Sequence, residues 1–380
     1  MREIPTYQPD FEEYIRQGEP DKKERAQIWR TAIGLQQVDG LETSEYLKEV
    51  ARQHIEGDIT FKEVKSLIDT YYETENVRNS ADVDEKREAD KVSERIANLL
   101  SEKAFSFNPA QLVSIHRYLF QGIYKFAGRI RDYNITKKEW VLRGDTVYYE
   151  GSNMISAALS YDFEQEKAFD YSKVTLSEAV HHITKFCSDI WQIHPFGEGN
   201  TRTTAVFMIK YLRTLGFEVT NDLFAQNSWY FRNALVRANY TNVMQGIQYD
   251  TSFLERFFRN LLLGEHHQLL NREMHLEWSD ATSPTSTGQV QDKLETSYME
   301  IDNENIIQIV KTIGINRFSI KEIMANMGLK GRDNFLNLYL NPAIASGYIR
   351  MLYPDSPNHP RQKYLLTVKG LGWYNTQHVQ

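Results

Sequence analysis

Apolar residues recur at helical spacing along most of the chain, and turn residues rather than alternating runs separate the segments. After Asp21, the residues Ile28, Trp29, Ala32, Ile33 and Gln36 share one side of a helix that exits through Val38-Asp39-Gly40-Leu41, with Gly40 as its cap. A helix from Ser44 to Ile55, closed by Gly57, comes next, then one from Thr60 to Tyr72, opened by the capping-box pair Thr60 and Glu63. Residues 1 to 20, with Pro5, Pro9, Gly18 and Pro20, read as an extended arm, and the polar stretch Asn76 to Asp84 as a linker. Lys86 to Leu100 is helical. Asn108-Pro109 starts a further helix through Leu112, Ile115, His116, Leu119 and Phe120, with His116 expected in its core or rim.

The period then changes. Trp140-Val141-Leu142 and Thr146-Val147-Tyr148-Tyr149 alternate like strands about Arg143-Gly144-Asp145, which predicts a hairpin. Thr175 to Ile193 returns to the helical period, with Val180, Ile183, Phe186, Cys187, Ile190 and Trp191 on one face and a capping box at Thr175 and Glu178. Thr203 to Leu215 repeats it and stops before Gly216, so this helix begins inside the turn that precedes it. Further helices are expected from Asn227 and over Phe253 to Leu263. Residues 271–302 thin out into Ser283-Pro284-Thr285-Ser286-Thr287-Gly288, a linker. Beyond it come helices from Asn305, from Ser319 to Met327 and from Asp333, then strands Tyr348 to Leu352 and Lys363 to Thr367 around the Pro354 to Pro360 segment. That order is the order of a winged helix, with the proline-rich segment as the wing.

Length and charge refine this picture. The 380 residues suffice for two or three domains, and 22 Tyr with 19 Phe argue against disorder. A net charge of −7 gives no general affinity for nucleic acid or membrane surfaces. Residues 303–380, however, hold nine Lys and Arg against four Asp and Glu, so this part carries +5 and the remainder −12. Lys330, Arg332, Arg361 and Lys363 are its candidate DNA-phosphate contacts; a protein-interaction or dimerisation module, as in a homodimer, is the other reading. The single cysteine, Cys187, falls on an apolar helix face and is expected in the core. The opening residues lack a signal-peptide pattern and no apolar run has spanning length, so a cytoplasmic protein without a membrane partner is expected.

The chemistry concentrates in His194-Pro195-Phe196-Gly197-Glu198-Gly199-Asn200-Thr201-Arg202, between two predicted helices. A glycine-rich turn entering a helix presents backbone N–H groups at the positive end of the dipole, which suits phosphate. Gly197 and Gly199 supply the backbone freedom. Glu198 offers a hard oxygen to magnesium, Arg202 a bidentate clasp for phosphate, and His194 a base with a pKa near neutrality. Glu265-His266-His267 lacks a third ligand nearby, so zinc is discounted.

This run resembles the signature of Fic-domain proteins, most of which are protein adenylyltransferases. The resemblance is most secure over residues 85–270. It implies transfer of AMP from MgATP to a Ser, Thr or Tyr hydroxyl of a protein target or of the chain itself: His194 deprotonates the hydroxyl, Glu198 holds Mg2+, Asn200 and Arg202 bind phosphates, and Phe196 anchors the motif. Gly197, Gly199 and Thr201 complete the nucleotide-binding turn. Tyr230 and Asn233 are candidates to frame the adenine, with plain packing as the alternative. The hairpin corresponds to the flap that pairs with the target, or else merely completes the fold, and Arg131 faces the turn or bridges the hairpin to a helix. Two positions depart from the common pattern. Thr201 stands where a Gly is usual, and Ala205 where a second Arg contacts the γ-phosphate and pairs with an inhibitory Glu.

Val38 to Tyr72 is similar to the small VbhA-type antitoxins that plug Fic active sites. At the inhibitory place the chain has Leu35 and then Asp39-Gly40, so Asp39 is the candidate inhibitory residue; with Ala205 as its counterpart, it is otherwise expected only to support the helix end. Thr146 to Gly151 also fits the inhibitory spacing but alternates like a strand. Removal of residues 1–75 is expected to raise activity. The expected architecture is thus mainly α: a helical regulatory segment (1–78), a Fic-type helical bundle with a β-hairpin flap (85–270), a linker (271–302) and an α+β winged helix (303–380). Adenylyl transfer leads two alternatives: a DNA-binding regulator whose Fic domain senses nucleotide or modifies itself, and a Fic enzyme that removes AMP or uses another phosphate-containing donor.

Overall fold

Capped starts and glycine or polar stops delimit the helices much as the periodicity predicts. The computed structural model describes residues 11–74, 82–219, 223–277 and 301–378. Its helices in order are α1 (Glu12–Gln17), α2 (Pro20–Gly34), α3 (Glu45–Glu56), α4 (Phe61–Glu73), α5 (Val83–Ser101), α6 (Pro109–Phe120), α7 (Ile155–Ala168), α8 (Leu176–Ile193), α9 (Asn200–Thr214), α10 (Leu223–Gln226), α11 (Ser228–Ala238) and α12 (Ser252–Leu263). After the described residues resume come α13 (Glu304–Ile313), α14 (Ile320–Asn326), α15 (Arg332–Phe335), α16 (Asn341–Ala345), strands β1 (Ile349–Met351) and β2 (Tyr364–Leu366), and α17 (Val368–Thr376). The molecule is mainly helical, with few strands. No described helix is long and apolar enough to cross a membrane.

Two hydrophobic cores organise these elements, one drawn from residues 11–274 and one from residues 306–373. The N-terminal helices are part of the first core: Trp29, Ala32, Leu35, Leu47 and Val64 are fully buried in it together with α5, α8 and α9. Buried Asp90 of α5 accepts from Ser44 N (2.8 Å) and from the Tyr72 hydroxyl (2.7 Å), tying α3 and α4 down. The capping boxes at Thr60/Glu63, Thr175/Glu178 and Ser319/Glu322 all form, each stabilising its helix by about 1 kcal/mol.

Several expectations change. The arm is helical over Glu12–Gln17, held by an Arg16–Glu12 ion pair at 2.6 Å, with Phe11 buried in the core. Residues 1–10, residues 75–81 and Ser283 to Gly288 lie outside the described residues. Trp140–Leu142 is a 3-10 turn rather than a strand; Arg143 is left-handed at φ 60°, and the Gly144 and Leu142 N–H groups both donate to Glu139 O, which closes a tight loop instead of a ladder. Residues 271–274 form a 3-10 turn with Met274 in the core, and Leu276 N donates to Val141 O, so the linker starts later than its composition suggests. Helix α7 is absent from the sequence reading because its buried stripe is thin: Ile155, Leu159 and Phe163, completed by the carboxylate of Glu166.

In the C-terminal unit, β1 and β2 pair antiparallel (Ile349 with Leu366, Met351 with Tyr364), and Phe318 bridges to Tyr364. Between α15 and α16 the helix widens into a π-type turn at Leu336–Leu340, where Asn341 N donates to Leu336 O. Pro342 explains the widening, since its ring crowds the preceding turn and it has no N–H to give. Helix α17 packs on α8: Leu176 N donates to Thr376 Oγ1 (3.1 Å), and Asn375 Nδ2 to Ser172 O and Val174 O (2.8 Å each). Gly216 and Gly347 meet backbone to backbone beside Thr367.

Candidate active site

Helix α8 ends at His194, which adopts the left-handed conformation (φ 50°, ψ 60°), one of three such non-glycine residues among those described. This turns the chain away from the helix axis, and Gly199 (φ 76°) turns it into α9; a Cβ on Gly199 would lie 2.4 Å from the Phe120 ring. Between them Asn200 closes the loop on itself: its Oδ1 accepts from Phe196 N (2.9 Å) and its Nδ2 donates to Phe196 O (2.8 Å). Thr201 Oγ1 accepts from Trp191 Nε1 (3.0 Å). Both residues brace the turn through their side chains, a use that the phosphate expectation did not include.

His116 is the hidden support of this loop. Its ring stacks on Phe196 (centroids 3.7 Å apart, planes at 11°). Its Nδ1 accepts from Gly128 N (2.8 Å), so Nε2 carries the proton and donates to Glu198 O (3.0 Å). Burial pulls the His116 pKa down to about 4. Arg131 faces the turn and also joins it to the preceding loop. It donates from Nε to His194 O (2.8 Å) and from its guanidinium nitrogens to the carbonyls of Ile193 (3.2 Å), Tyr133 (2.7 Å) and Glu150 (2.5 Å), while its own N–H reaches Pro195 O (2.9 Å).

His194 is 2 % exposed, with Nδ1 3.3 Å from Trp191 O and Nε2 without a partner among the described residues. A carbonyl only accepts, so the proton sits on Nδ1 and the Nε2 lone pair is free. Burial first, then the nearby Lys137, Arg131 and Arg232 cations, hold its pKa well below the usual histidine value. The imidazole is therefore neutral near pH 7, as a proton acceptor must be.

Around it lie Asp39, Lys137, Glu139, Gly199, Asn200 and Arg232, and only about 10 Å³ stays open, room for one water at most. The Lys137 ammonium is 2.7 Å from Glu198 Oε2, and Arg232 is 2.8 Å from Glu139 Oε2, a carboxylate whose pKa burial raises. Glu139, Lys137 and Arg232 were not singled out in the sequence, where no spacing links residues from different elements. Tyr230 and Asn233 do not line the cleft. Tyr230 is buried with its hydroxyl donating to Phe253 O (3.1 Å), and Asn233 donates to Asn271 Oδ1 (2.8 Å), so α11 turns Arg232 toward the cleft and these two toward the core.

Arg202 is sealed. Its Nε is 2.8 Å from Asp39 Oδ2; its terminal nitrogens meet Glu88 Oε1 (2.7 Å), Gln36 Oε1 (3.0 Å) and the Tyr124 hydroxyl (3.2 Å), and its plane lies over Phe120 at 4.8 Å. Burial opposes its charge, but Asp39, Tyr124 and Glu88 more than offset that and raise its pKa. Asp39 thus does more than end its helix: it engages the motif's arginine, although the position of the second arginine is the buried Ala205.

Residues 106–212 match the Fic/DOC family. Residues 304–367 match the C-terminal domain of filamentation induced by cAMP (Fic-like) proteins. The Fic/DOC match holds the whole turn from His194 to Arg202, together with His116 and Arg131. Over 172 residues the chain is 26% identical to "Probable protein adenylyltransferase y4lH" of Sinorhizobium fredii, an alignment covering 44% of this chain and 85% of that protein. A Fic family protein of Desulfovibrio desulfuricans superposes with a TM-score of 0.40 at 16% identity, over 93% of this chain and 90% of that one.

The remaining candidates lie outside the cleft. Lys330, Arg332 and Arg361 are exposed at the start of α15 and after the proline-rich segment. Lys363 is half-buried, 3.9 Å from Glu322. Cys187 is fully buried, as expected of a core thiol.

Proposed function

We propose that the protein transfers AMP from MgATP to a Ser, Thr or Tyr hydroxyl of a protein target or of its own chain. The free Nε2 of His194, held neutral by burial at the end of α8, carries this reading. His194 Nε2 takes the hydroxyl proton as that oxygen attacks the α-phosphorus, the bond to the β-phosphate oxygen breaks, and pyrophosphate leaves. The α9 N-terminus, and Arg202 once released, bind the phosphates. The named activity of the rhizobial relative supports the same donor.

Glu198, a half-exposed carboxylate partnered by Lys137, is the residue that would hold magnesium, with the substrate's phosphate oxygens completing the set. When bound, magnesium would neutralise phosphate charge.

With Arg202 sealed and about 10 Å³ open, the arrangement supports an inhibited state. Asp39 and Gln36 act as a latch, and the N-terminal helical segment that carries them plays the inhibitory part. Because this segment shares the main core, deletion of residues 1–75 would also expose buried surface, so Asp39→Ala is the cleaner test of release.

The deciding experiment incubates wild type, Asp39→Ala and His194→Ala with α-labelled or γ-labelled ATP, magnesium and a cell lysate. Label retained only from the α position, and only with His194 present, is expected. Transfer from the γ position, or undiminished transfer by His194→Ala, would refute the reading. The exposed Lys330, Arg332 and Arg361 favour a second role, DNA binding by a winged-helix C-terminal unit. It predicts salt-dependent binding to duplex DNA that survives His194→Ala and weakens when these three residues are replaced.

A further inference from the structure

A cavity of about 410 Å³ lies away from the catalytic turn, between α2, the end of α5 and the C-terminal half of α9. Its volume is in the range of small-molecule sites. Ile28, Leu100, Phe105 and Ile209 give it apolar walls, while Lys210 and Arg213, one helical turn apart on α9, bring two cations to it. The partners of those cations are unusual. Lys210 is 3 % exposed and donates to the carbonyls of Leu99 (2.6 Å) and Glu102 (2.7 Å); Arg213 donates to Leu100 O (2.6 Å). Among the described residues no carboxylate lies within ion-pair distance of either one. Glu102 acts on Lys210 and Glu24 on Arg213 only from beyond ion-pair distance, so the burial of Lys210 costs free energy that a directly bound anion would return. Lys103 at the rim adds a third positive group against the exposed Glu24 and Glu102.

We infer that this cavity binds a small amphipathic carboxylate, its charge on Arg213 and Lys210 and its apolar body against Ile28 and Phe105, and that the ligand clamps α2 onto α9. The clamp bears on the latch. Helix α2 continues directly into the 3-10 turn Leu35–Asp39 that supplies Gln36 and Asp39, and α9 carries both Arg213 and Arg202. A ligand touching both helices binds the seated arrangement better than one in which α2 has moved, so it favours the latched state by that difference in affinity.

Octanoate is the probe, with inorganic phosphate (charge without an apolar body) and octanol (the body without charge) as controls, titrated calorimetrically into the full-length chain. Octanoate is expected to bind, and phosphate and octanol to bind at least about tenfold more weakly. Arg213→Met and the cavity-filling Gln27→Trp should each weaken octanoate by about tenfold or more. Lys103→Met, at the exposed rim, gives a variant whose folding is not in question and should weaken it by a smaller factor. Hydrogen exchange of α2 amides should slow with octanoate present. The inference is overturned by absence of octanoate binding, by equal binding of either control, by folded Arg213→Met and Lys103→Met proteins that bind as wild type does, or by α2 exchange that ignores the ligand. None of these outcomes depends on adenylyl transfer.

Discussion

The turn from His194 to Arg202 is held from two sides, and the two sides use opposite chemistry. Behind it, the loop at residues 128–150 grips it through backbone: Arg131 spends its guanidinium on four carbonyls, and His116 joins Gly128 N to Glu198 O. In front, residues 36–39 and α5 grip it through side chains, with Asp39, Gln36 and Glu88 gathered on Arg202. A carbonyl cage has no substitute within the fold, so it fixes geometry. Carboxylates around a guanidinium can be replaced by phosphate, which offers the same acceptors in the same fork. One side is a frame and the other is exchangeable.

The largest effect should come from breaking the frame. Arg131→Met leaves four carbonyls short of a donor and is expected to destabilise the protein by about 3 kcal/mol, and to reduce transfer at least about a hundredfold. Thermal unfolding and the labelling assay check it, and a variant with wild-type melting would show that the cage is dispensable.

Acid should loosen the same side. His116 titrates at about 4 in the folded chain and near 6.5 when unfolded, so between those values the unfolded state binds more protons and stability rises with pH. Lowering the pH from 7 to 4 should cost up to about 3 kcal/mol through this group, lost as pH falls through that window. Denaturant melts of wild type and His116→Gln across the window isolate the contribution as the difference in slope.

Opening the exchangeable side should cost less stability than breaking the frame and change activity in the other direction. Asp39→Ala is expected to raise transfer by about tenfold and to destabilise the protein by about 2 kcal/mol, because Arg202 is buried but Glu88 and Gln36 still hold it. Glu88→Gln should raise it less, since Asp39 remains. Reduced transfer in both would show that the carboxylates position the arginine for work rather than withhold it.

Helix periodicity made the first face of this comparison partly legible. Val180 to Trp191 and the Thr175 box define α8, and the turn's residue types by themselves suggest phosphate chemistry. What the sequence withholds is convergence. Glu139 and Arg232 are 93 positions apart and meet only because the loop after Glu139 and helix α11 face one cleft. The strand reading at Trp140 failed because alternation over three residues also suits a 3-10 turn when a left-handed residue, Arg143, follows. Asp39 was legible as a residue of interest, but with Ala at position 205 the sequence offered it no arginine; only the fold brings it to Arg202.

The contact between the two cores ends in a place where no side chain fits. Gly216 and Gly347 are both left-handed (φ 93° and 73°), and a Cβ on either would come within 2.2 Å of the other's carbonyl oxygen. The neighbour is main chain, so repacking cannot relieve the clash. In a saturation library scored for folded protein, these two positions should therefore tolerate nothing but glycine, although both are remote from the chemistry. An alanine at either would act as a wedge between the halves, and the scan would mark the seam as sharply as it marks the centre of either core.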